Sequence, residues 1–374
     1  MTRTEELVRD LLALARKTGA GNKLPTVRAL CERQGVAMAT VQAALGQLAR
    51  EGVLRLEHGR GIFVAEGVST RTLGILLGDE MAGGVPPFYS AMEAACRRLM
   101  TGAGGAVRTY GNRVREYEEA VRNGVVQAGL MLPETTAERG DWFEGLGIPS
   151  LCLSASGRPG TFGVDYHAMI RQGVSALAGE GARRIACVSL FNPVHEAAKG
   201  KLSPRVVDRA VFEAALAETG LSVRDARFLD NYLVFPDGSA DFSGSGETAA
   251  RILLRQGDRP HDGVLILDDQ FAASFLPTML LAGRRPGRDF VCATHENGGT
   301  KLLHPYHGHV IRLVVDPNEM AEYVVSNLLS RLSNARRRQP KMRLFEPRVI
   351  RPQDDNPVLI SYRRKNLHNE RAIL

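Results

Sequence analysis

The chain has 374 residues, of which 44% are hydrophobic and 24% charged, an ordinary composition for a folded globular protein. This composition excludes wholesale disorder, a collagen-like fibre and a disulfide-rich miniprotein, and the length suits two or three domains. The 48 Lys and Arg residues against 41 Asp and Glu give a net charge of +7, which permits a polyanionic partner without proving one.

The cysteines and the amino terminus bear on the cellular compartment in which the protein is expected to act. Five cysteines are widely spaced without a CxxC pair, which favours free thiols in a reducing environment. The first ten residues alternate charged and apolar side chains and lack the apolar core of a secretion signal. The sequence contains no run of 18 apolar residues, so no membrane span is predicted. We therefore expect a cytoplasmic protein with no membrane partner.

The first 66 residues predict a small domain of helices and a hairpin. Leucines at positions 7, 11 and 14 recur at helical spacing, and Pro25-Thr26 opens a second helix that Gly35 closes. A glycine-bearing tip at 58–60 separates two short apolar runs, as in a hairpin. The predicted elements are helices over 4–17, 26–33 and 39–50 and strands over 53–57 and 61–64. Three helices and a hairpin in this order predict a winged helix-turn-helix.

Several segments of this domain resemble the DNA-binding domain of the GntR family of bacterial regulators. The segments that carry the resemblance are 24–28, 35–36, 39–42, 51–52 and 59–64. The resemblance implies that the third helix enters the major groove of double-stranded DNA, with its amino-terminal end at the base edges. One head reads one half-site, so a homodimer on a pseudo-palindromic operator is expected.

The candidate base-reading residues depart from the usual GntR pattern. The family typically has arginines where this chain has Met38 and Gln42. Gln42 can bond to adenine in bidentate fashion, and Met38 or Ala39 can contact a thymine methyl. Thr40 completes the predicted set on this helix. We therefore expect an operator that depends less on guanine.

Further candidate DNA contacts lie beside the second helix and at the hairpin tip. Lys23, Thr26 and Arg28 stand where free backbone N–H groups suit a phosphate. At the tip, Arg60 between two glycines can enter a minor groove. The predicted set also includes His58 and Gly61. The alternative is a winged helix that contacts protein, with Arg28 and Arg60 merely solvated.

The remainder of the chain predicts a different fold class. After a linker over 67–71, apolar runs alternate with helical stretches over 72–350, which predicts parallel sheets with helices on both faces. This α/β region is long enough for two lobes. The predicted domains are 1–66, 72–350 and a tail over 351–374, which is either flexible and loosely docked or paired with an edge strand.

This body resembles the effector-binding domain of LacI/GalR regulators, which have the type I periplasmic-binding-protein fold. The segments that carry the resemblance are 162–166, 181–186, 268–272, 285–291 and 316–320. Together with the GntR-type head, they resemble the architecture of the arabinose repressors of Gram-positive bacteria. The resemblance implies a small-molecule effector in a cleft between lobes, a sugar or sugar derivative.

Two acidic residues follow predicted strands and are the leading effector contacts. Asp269 and Glu296 both come at carboxyl ends of strands, where open α/β sheets bind ligands, and we expect them at the same mouth. Their positions match acids with which the family grips its ligands, with Glu296 replacing the usual Asp. Asp269 has an alternative role as a helix N-cap.

Three further residues complete the predicted effector site. Arg205 begins a helix where the family often places a ligand-binding arginine. Arg209 is the alternative for this position. Phe88 either stacks on a ligand or packs within a lobe. Asp165 lies at a crossover between lobes and is a ligand or, the favoured interpretation, a turn or hinge residue.

Other chemistry is less well supported. The histidines at 304, 307 and 309 predict a polar loop rather than a metal site, and no Walker or dinucleotide motif occurs, so no metal and no cofactor are expected. The favoured function is a ligand-responsive transcriptional regulator, most simply a repressor. The alternatives are a head fused to a pyridoxal-phosphate enzyme, for which no lysine stands in a suitable context, and a solute-binding protein.

Overall fold

The structure is a computed structural model that describes most of the chain. The described residues are 3–65, 71–77, 86–133, 136–154, 157–190, 207–230, 233–234, 240–255, 260–334 and 338–355. Within these ranges, no helix combines the length and the apolar character needed to cross a bilayer.

The head is a winged helix-turn-helix, as the sequence predicts. Its elements are α1 Arg3–Thr18, α2 Val27–Gln34, α3 Met38–Arg50, β1 Leu54–Glu57 and β2 Gly61–Val64. Thr26 caps α2 by accepting a hydrogen bond from the backbone N–H of Ala29, and Gly35 ends the helix at a φ of +61°. The two strands pair antiparallel as the wing. Apolar faces of α1 and α3 form the core between them.

The first lobe is built on a six-stranded parallel sheet in the order β15-β7-β6-β5-β3-β4. Its strands are β3 Thr72–Leu77, β4 Ala106–Thr109, β5 Ala128–Leu132, β6 Ser150–Leu153, β7 Thr161–Val164 and β15 Arg343–Phe345. Its helices are α4 Pro87–Gly102, α5 Val114–Arg122, α6 Ala137–Gly145 and α11 Pro317–Ser333. Strand β3 is buried along its whole length, as expected for a strand covered by helices on both faces.

The second lobe repeats this plan with one antiparallel edge. The strand order is β16-β14-β13-β12-β8-β9, and only β16 among these runs antiparallel to its neighbour. Its strands are β8 Ile185–Val188, β9 Arg227–Leu229, β12 Gly263–Ile266, β13 Val291–Asn297, β14 Ile311–Val315 and β16 Arg348–Ile350, beside a short hairpin of β10 Leu233–Val234 and β11 Ala240–Asp241. Its helices are α7 Tyr166–Gly179, α8 Asp208–Glu218, α9 Phe242–Leu254 and α10 Asp269–Leu281.

The described chain passes between the two sheets three times. The crossings lie between β7 and α7, between β14 and α11, and between β15 and β16. The backbone N–H of Asp165, in the first crossing, donates to the carbonyl of Phe345, at the third. The predicted two-lobed α/β fold class is therefore confirmed.

The head and the first lobe share one hydrophobic cluster. Buried leucines of α1 and α3 belong to the same cluster as Leu76, Tyr117 and Phe143 of the lobe. Along β3 the side chains alternate, so that Leu76 joins this cluster while Leu73 and Ile75 pack on the opposite face of the sheet. The head is thus packed against the face of the lobe that carries α5 and α6.

The junction between head and lobe contains a perturbed carboxyl group. Burial raises the pKa of Glu51, while the hydrogen bond from Gln47 and the charge of Arg108 act in the opposite direction. A carboxyl whose pKa is higher in the folded protein contributes stability at acid pH, below its unfolded value, and that contribution is lost as the pH rises through the folded value.

We expect Glu51→Gln to stabilise the protein near pH 7, because glutamine keeps the contact with Gln47 without a buried charge. The gain over the wild type should shrink as the pH falls toward 4.5. Urea denaturation at several pH values measures this difference. Glu32→Gln, at a residue whose side chain is 67% exposed, serves as the control. A gain that does not depend on pH would contradict the burial of the Glu51 charge.

Candidate DNA-binding surface and effector cleft

The amino-terminal end of α3 offers an open reading surface. Met38 is 55% exposed, and Ala39 and Gln42 are exposed on the same helix, whereas Thr40 is half-buried. The residue before the helix, Ala37, provides no side-chain cap. Uncapped N–H groups at a helix start suit an anion. The side chains that hold α3 in the head are instead buried: Val41, Ala44, Leu45 and Leu48.

The start of α2 presents a cation beside a capped terminus. The hydroxyl oxygen of Thr26 accepts from the Ala29 N–H at 3.3 Å. Arg28 projects into solvent with 88% of its side chain exposed, 3.2 Å from the carboxylate of Glu32. An exposed ion pair of this kind contributes little, so a phosphate can replace Glu32 at low cost.

The wing gathers two cations around one aromatic ring. Lys23 Nζ lies 5.8 Å and Arg60 Cζ 5.9 Å from the centre of the Phe63 ring. Gly61, at a φ of +123°, leaves room for the Lys23 stem, because a Cβ there would lie 2.4 Å from Lys23 Cε. Arg60 also contacts Glu57 at 2.8 Å. His58 is exposed at the same tip.

Asp269 lies at the carboxyl end of the second-lobe sheet and is 2% exposed. Its Oδ2 accepts from the backbone N–H of Asn297 at 3.2 Å and from Asn297 Nδ2 at 2.9 Å. The N-cap of α10 is Asp268, which accepts from the N–H groups of Gln270 and Phe271. The helix-cap role considered for Asp269 therefore belongs to the preceding residue.

Glu296 is buried in an ion-paired cluster at the same end of the sheet. It is 3% exposed, with Oε1 at 2.8 Å from His307 Nε2 and Oε2 at 2.9 Å from Arg312 Nη1. The loop that carries His307 also places the His304 ring 5.2 Å from it. Asp269 and Glu296 thus share one end of the sheet, but their carboxylates bind different partners.

One compact polar group joins the ends of β12 and β13. One carboxylate oxygen each from Asp268 and Asp269 and one ring nitrogen of His295 lie within 4.8 Å of one another, close enough to bind one metal ion together. Hydrogen bonds to α10 and to Asn297 already orient the two carboxylates. Sequence reasoning missed His295, Asn297 and Arg312. Two sequence features could have indicated them. Polar residues fill the end of the strand over 291–297, and an arginine lies within the next apolar run.

The other predicted effector residues are spread over the two lobes. The side chain of Asp165 caps α7 by accepting from the Ala168 N–H at 2.8 Å. Phe88 is half-buried in the first lobe, edge-on to Tyr89 with ring centres 5.3 Å apart. Arg205 lies outside the described residues. Its competitor Arg209 contacts Asp230 at 3.2 Å and lies over the Phe228 ring at 4.9 Å.

Comparison with protein families accounts for the head. Residues 3–64 match the family described as bacterial regulatory proteins, gntR family. The head is a GntR-type DNA-binding domain. This match covers the three helices and both strands of the wing, so the resemblance in the sequence is confirmed. No curated protein matches the chain significantly.

Comparison with solved structures accounts for the body. A LacI transcriptional regulator from a Rhodococcus species aligns with a TM-score of 0.58 at 21% identity, covering 75% of this chain and 97% of its own. A LacI family regulator from Weissella paramesenteroides with bound sucrose aligns at 0.58 and 14% identity, with the same coverage. A lac repressor dimer bound to operator and an anti-inducer aligns at 0.57 and 18% identity, covering 76% and 94%. The body behind the GntR-type head has the LacI-type fold.

Proposed function

We propose that this protein is a ligand-responsive transcriptional regulator, most simply a repressor, that acts in the cytoplasm. The observation that carries the proposal is the combination, in one chain, of a GntR-type DNA-binding head and a body with the LacI-type fold. An effector in the cleft between lobes then changes the affinity of the head for its operator. A coupling free energy of about 1–3 kcal/mol is typical of such regulation.

The DNA partner is supported by the chemistry of the head. Lys23, Arg28 and Arg60 supply exposed cations for phosphates, and the start of α3 presents uncapped N–H groups beside Met38 and Gln42. Phosphate contacts fix position and affinity, whereas base contacts choose the sequence. The head therefore carries both kinds of contact on exposed side chains.

The effector is inferred to be a neutral, hydroxyl-bearing molecule such as a sugar derivative. The Weissella neighbour holds sucrose, and Asp269 stands oriented by Asn297 at the end of the sheet where such ligands bind. The carboxylate of Glu296 is already bonded to His307 and Arg312, so we assign the first ligand contact to Asp269 and expect Glu296 to set the shape of the pocket.

A thermal-shift screen against sugars and nucleosides, followed by operator selection and gel shifts with and without each hit, tests the proposal. A ligand that binds only the folded state raises its apparent stability. A hit that also changes operator affinity would support the regulator. Failure to prefer any DNA sequence, with or without hits, would refute it.

A homodimer is the inferred assembly. Leu280 and Leu281, at the end of α10, are 39% and 91% exposed and offer an apolar contact for a second copy. A lac repressor neighbour is a dimer on its operator. Analytical ultracentrifugation tests this contact. The wild type should sediment as a dimer, and Leu281→Asp should shift it toward the monomer.

Gln42→Ala should change operator choice rather than general DNA affinity. A bidentate base contact is worth about 1–3 kcal/mol of discrimination, so the preference at one base pair should fall by about 5- to 150-fold. Arg28→Ala, the matched comparison, should weaken binding to all sequences and reduce the salt slope by about one. Competition gel shifts at several salt concentrations measure both. An unchanged base preference in Gln42→Ala would show that Gln42 does not contribute to base recognition.

The alternative of a fused enzyme is less well supported. The body aligns over nearly the full length of LacI-type regulators, which favours effector binding over catalysis. An absorbance scan of the purified protein for a pyridoxal aldimine separates the two functions.

A further inference from the structure

One face of α1 is fixed to the end of α5 in the first lobe. Arg16 Nη2 donates to the carbonyl of Gly124 at 2.7 Å, and Glu5 lies 3.8 Å from the guanidinium of Arg122. Leu12, whose side chain is almost completely buried, approaches to 4.0 Å of the position that a Cβ on Gly124 would occupy. Residues 5, 12 and 16 are spaced by seven and four, so they share one face of the helix.

The turn after α3 makes a second attachment to the same lobe. Arg108, in β4, approaches to 3.9 Å of the position that a Cβ on Gly52 would occupy. Its charge acts on the carboxyl of Glu51 and on the guanidinium of Arg16. The head therefore contacts the lobe through two separate elements, and both contacts fall on the segment from β4 to the end of α5.

This docked position leaves the DNA surface open. The side chains of Met38, Gln42 and Arg28 are exposed while α1 is packed on the lobe. The attached face belongs to α1 and to the carboxyl-terminal turn of α3, whereas the reading residues lie at the amino-terminal end of α3. DNA binding and docking thus use different parts of the head.

We propose that the head is a fixed part of the first lobe, and that operator affinity is controlled by moving the lobe with its head rather than by releasing the head. The part of this proposal that concerns control rests on the proposed function, whereas the fixed position of the head does not. The shared hydrophobic cluster and the Arg16–Gly124 contact are the features that hold the two together.

Distance measurement between spin labels tests the fixed position. Cys31 in α2 is half-buried and the other four cysteines are buried, so a label at Cys31 pairs with one at an introduced Glu138→Cys on α6. Labelled chains diluted with unlabelled chains restrict the signal to one protomer. A narrow distance distribution is expected, and a broad one would overturn the proposal.

Variants of the α1 face make the test specific. Leu12→Ser combined with Arg16→Ala should broaden the distribution, and Arg16→Ala alone should broaden it less. Lys17→Ala, which removes the same charge from the neighbouring exposed position, should leave it narrow. Circular dichroism of each variant shows whether the head remains folded. A folded double variant as narrow as the wild type would refute the role of this interface.

The same variants separate control from DNA binding. With a selected operator and a thermal-shift hit, the double variant should keep the operator affinity measured without ligand. The factor by which the ligand changes operator affinity, typically about 5- to 150-fold in such systems, should fall to about one in the double variant. An unchanged response would overturn control through the interface. Absence of operator preference in the wild type would instead refute the proposed function and leave the distance result standing.

Discussion

Arg312→Met is expected to lower the free energy of unfolding by about 3–5 kcal/mol, the usual cost of removing one partner from a buried ion pair. Arg312 is 8% exposed and Glu296 is 3% exposed, so water cannot replace the lost guanidinium. His307 remains 2.8 Å from the other carboxylate oxygen and limits the loss only when it is protonated. Urea denaturation near neutral pH measures the change.

Two comparisons make this expectation specific. Glu296→Leu combined with Arg312→Met should recover much of the lost stability, because replacing both charges by apolar groups is often neutral. Arg348→Met, on the adjacent strand β16 but exposed, should change stability by less than about 0.5 kcal/mol. Equal losses in the two arginine variants would show that the buried pair has no special cost.

Gly246→Ala should destabilise the second lobe, although alanine is the better helix former by about 1 kcal/mol. A Cβ at position 246 of α9 would lie 2.1 Å from the carbonyl oxygen of Phe271 and 2.2 Å from the hydroxyl of Ser274. The first of these atoms belongs to the backbone of α10, so the helices must separate. Overpacking of this kind costs about 1–3 kcal/mol, which outweighs the gain in propensity.

Gly179→Ala is the matched control for this steric effect. Gly179 is also helical, at the end of α7, and a Cβ there would meet no atom within 4 Å. Alanine at this position should leave stability unchanged or raise it. Thermal unfolding of both variants measures the contrast, and a stabilised Gly246→Ala protein would show that α9 and α10 can move apart at little cost.

Local sequence signals predicted the head well because its elements form from neighbouring residues. Leucine spacing, the Pro25-Thr26 start of the second helix and the Gly35 stop gave helix bounds within about two residues of those observed. The two-lobed α/β class followed from alternation of strands and helices. Short strands such as β4 and β9 escaped prediction, because three or four residues carry too little periodicity to be recognised.

The candidate cleft was harder to predict because its contacts depend on sheet register. The ion pair of Glu296 with Arg312 joins residues of neighbouring parallel strands, and the Asp269–Asn297 hydrogen bond spans 28 residues. A helix start can be recognised from its own sequence, but the assignment of the cap to Asp268 rather than Asp269 required the exact end of β12. The docking of the head has no signature in α1 alone.

The three passages between the lobes in the described part of the chain also affect how the protein responds to proteolysis. A single cut at Asp165 would leave the passages from β14 to α11 and from β15 to β16 intact. The first lobe takes α11 and β15 from the far end of the sequence, so a fragment ending at residue 164 would lack a helix and an edge strand. The lobes are therefore not separable as consecutive fragments, and expression of either one requires joining its distant pieces.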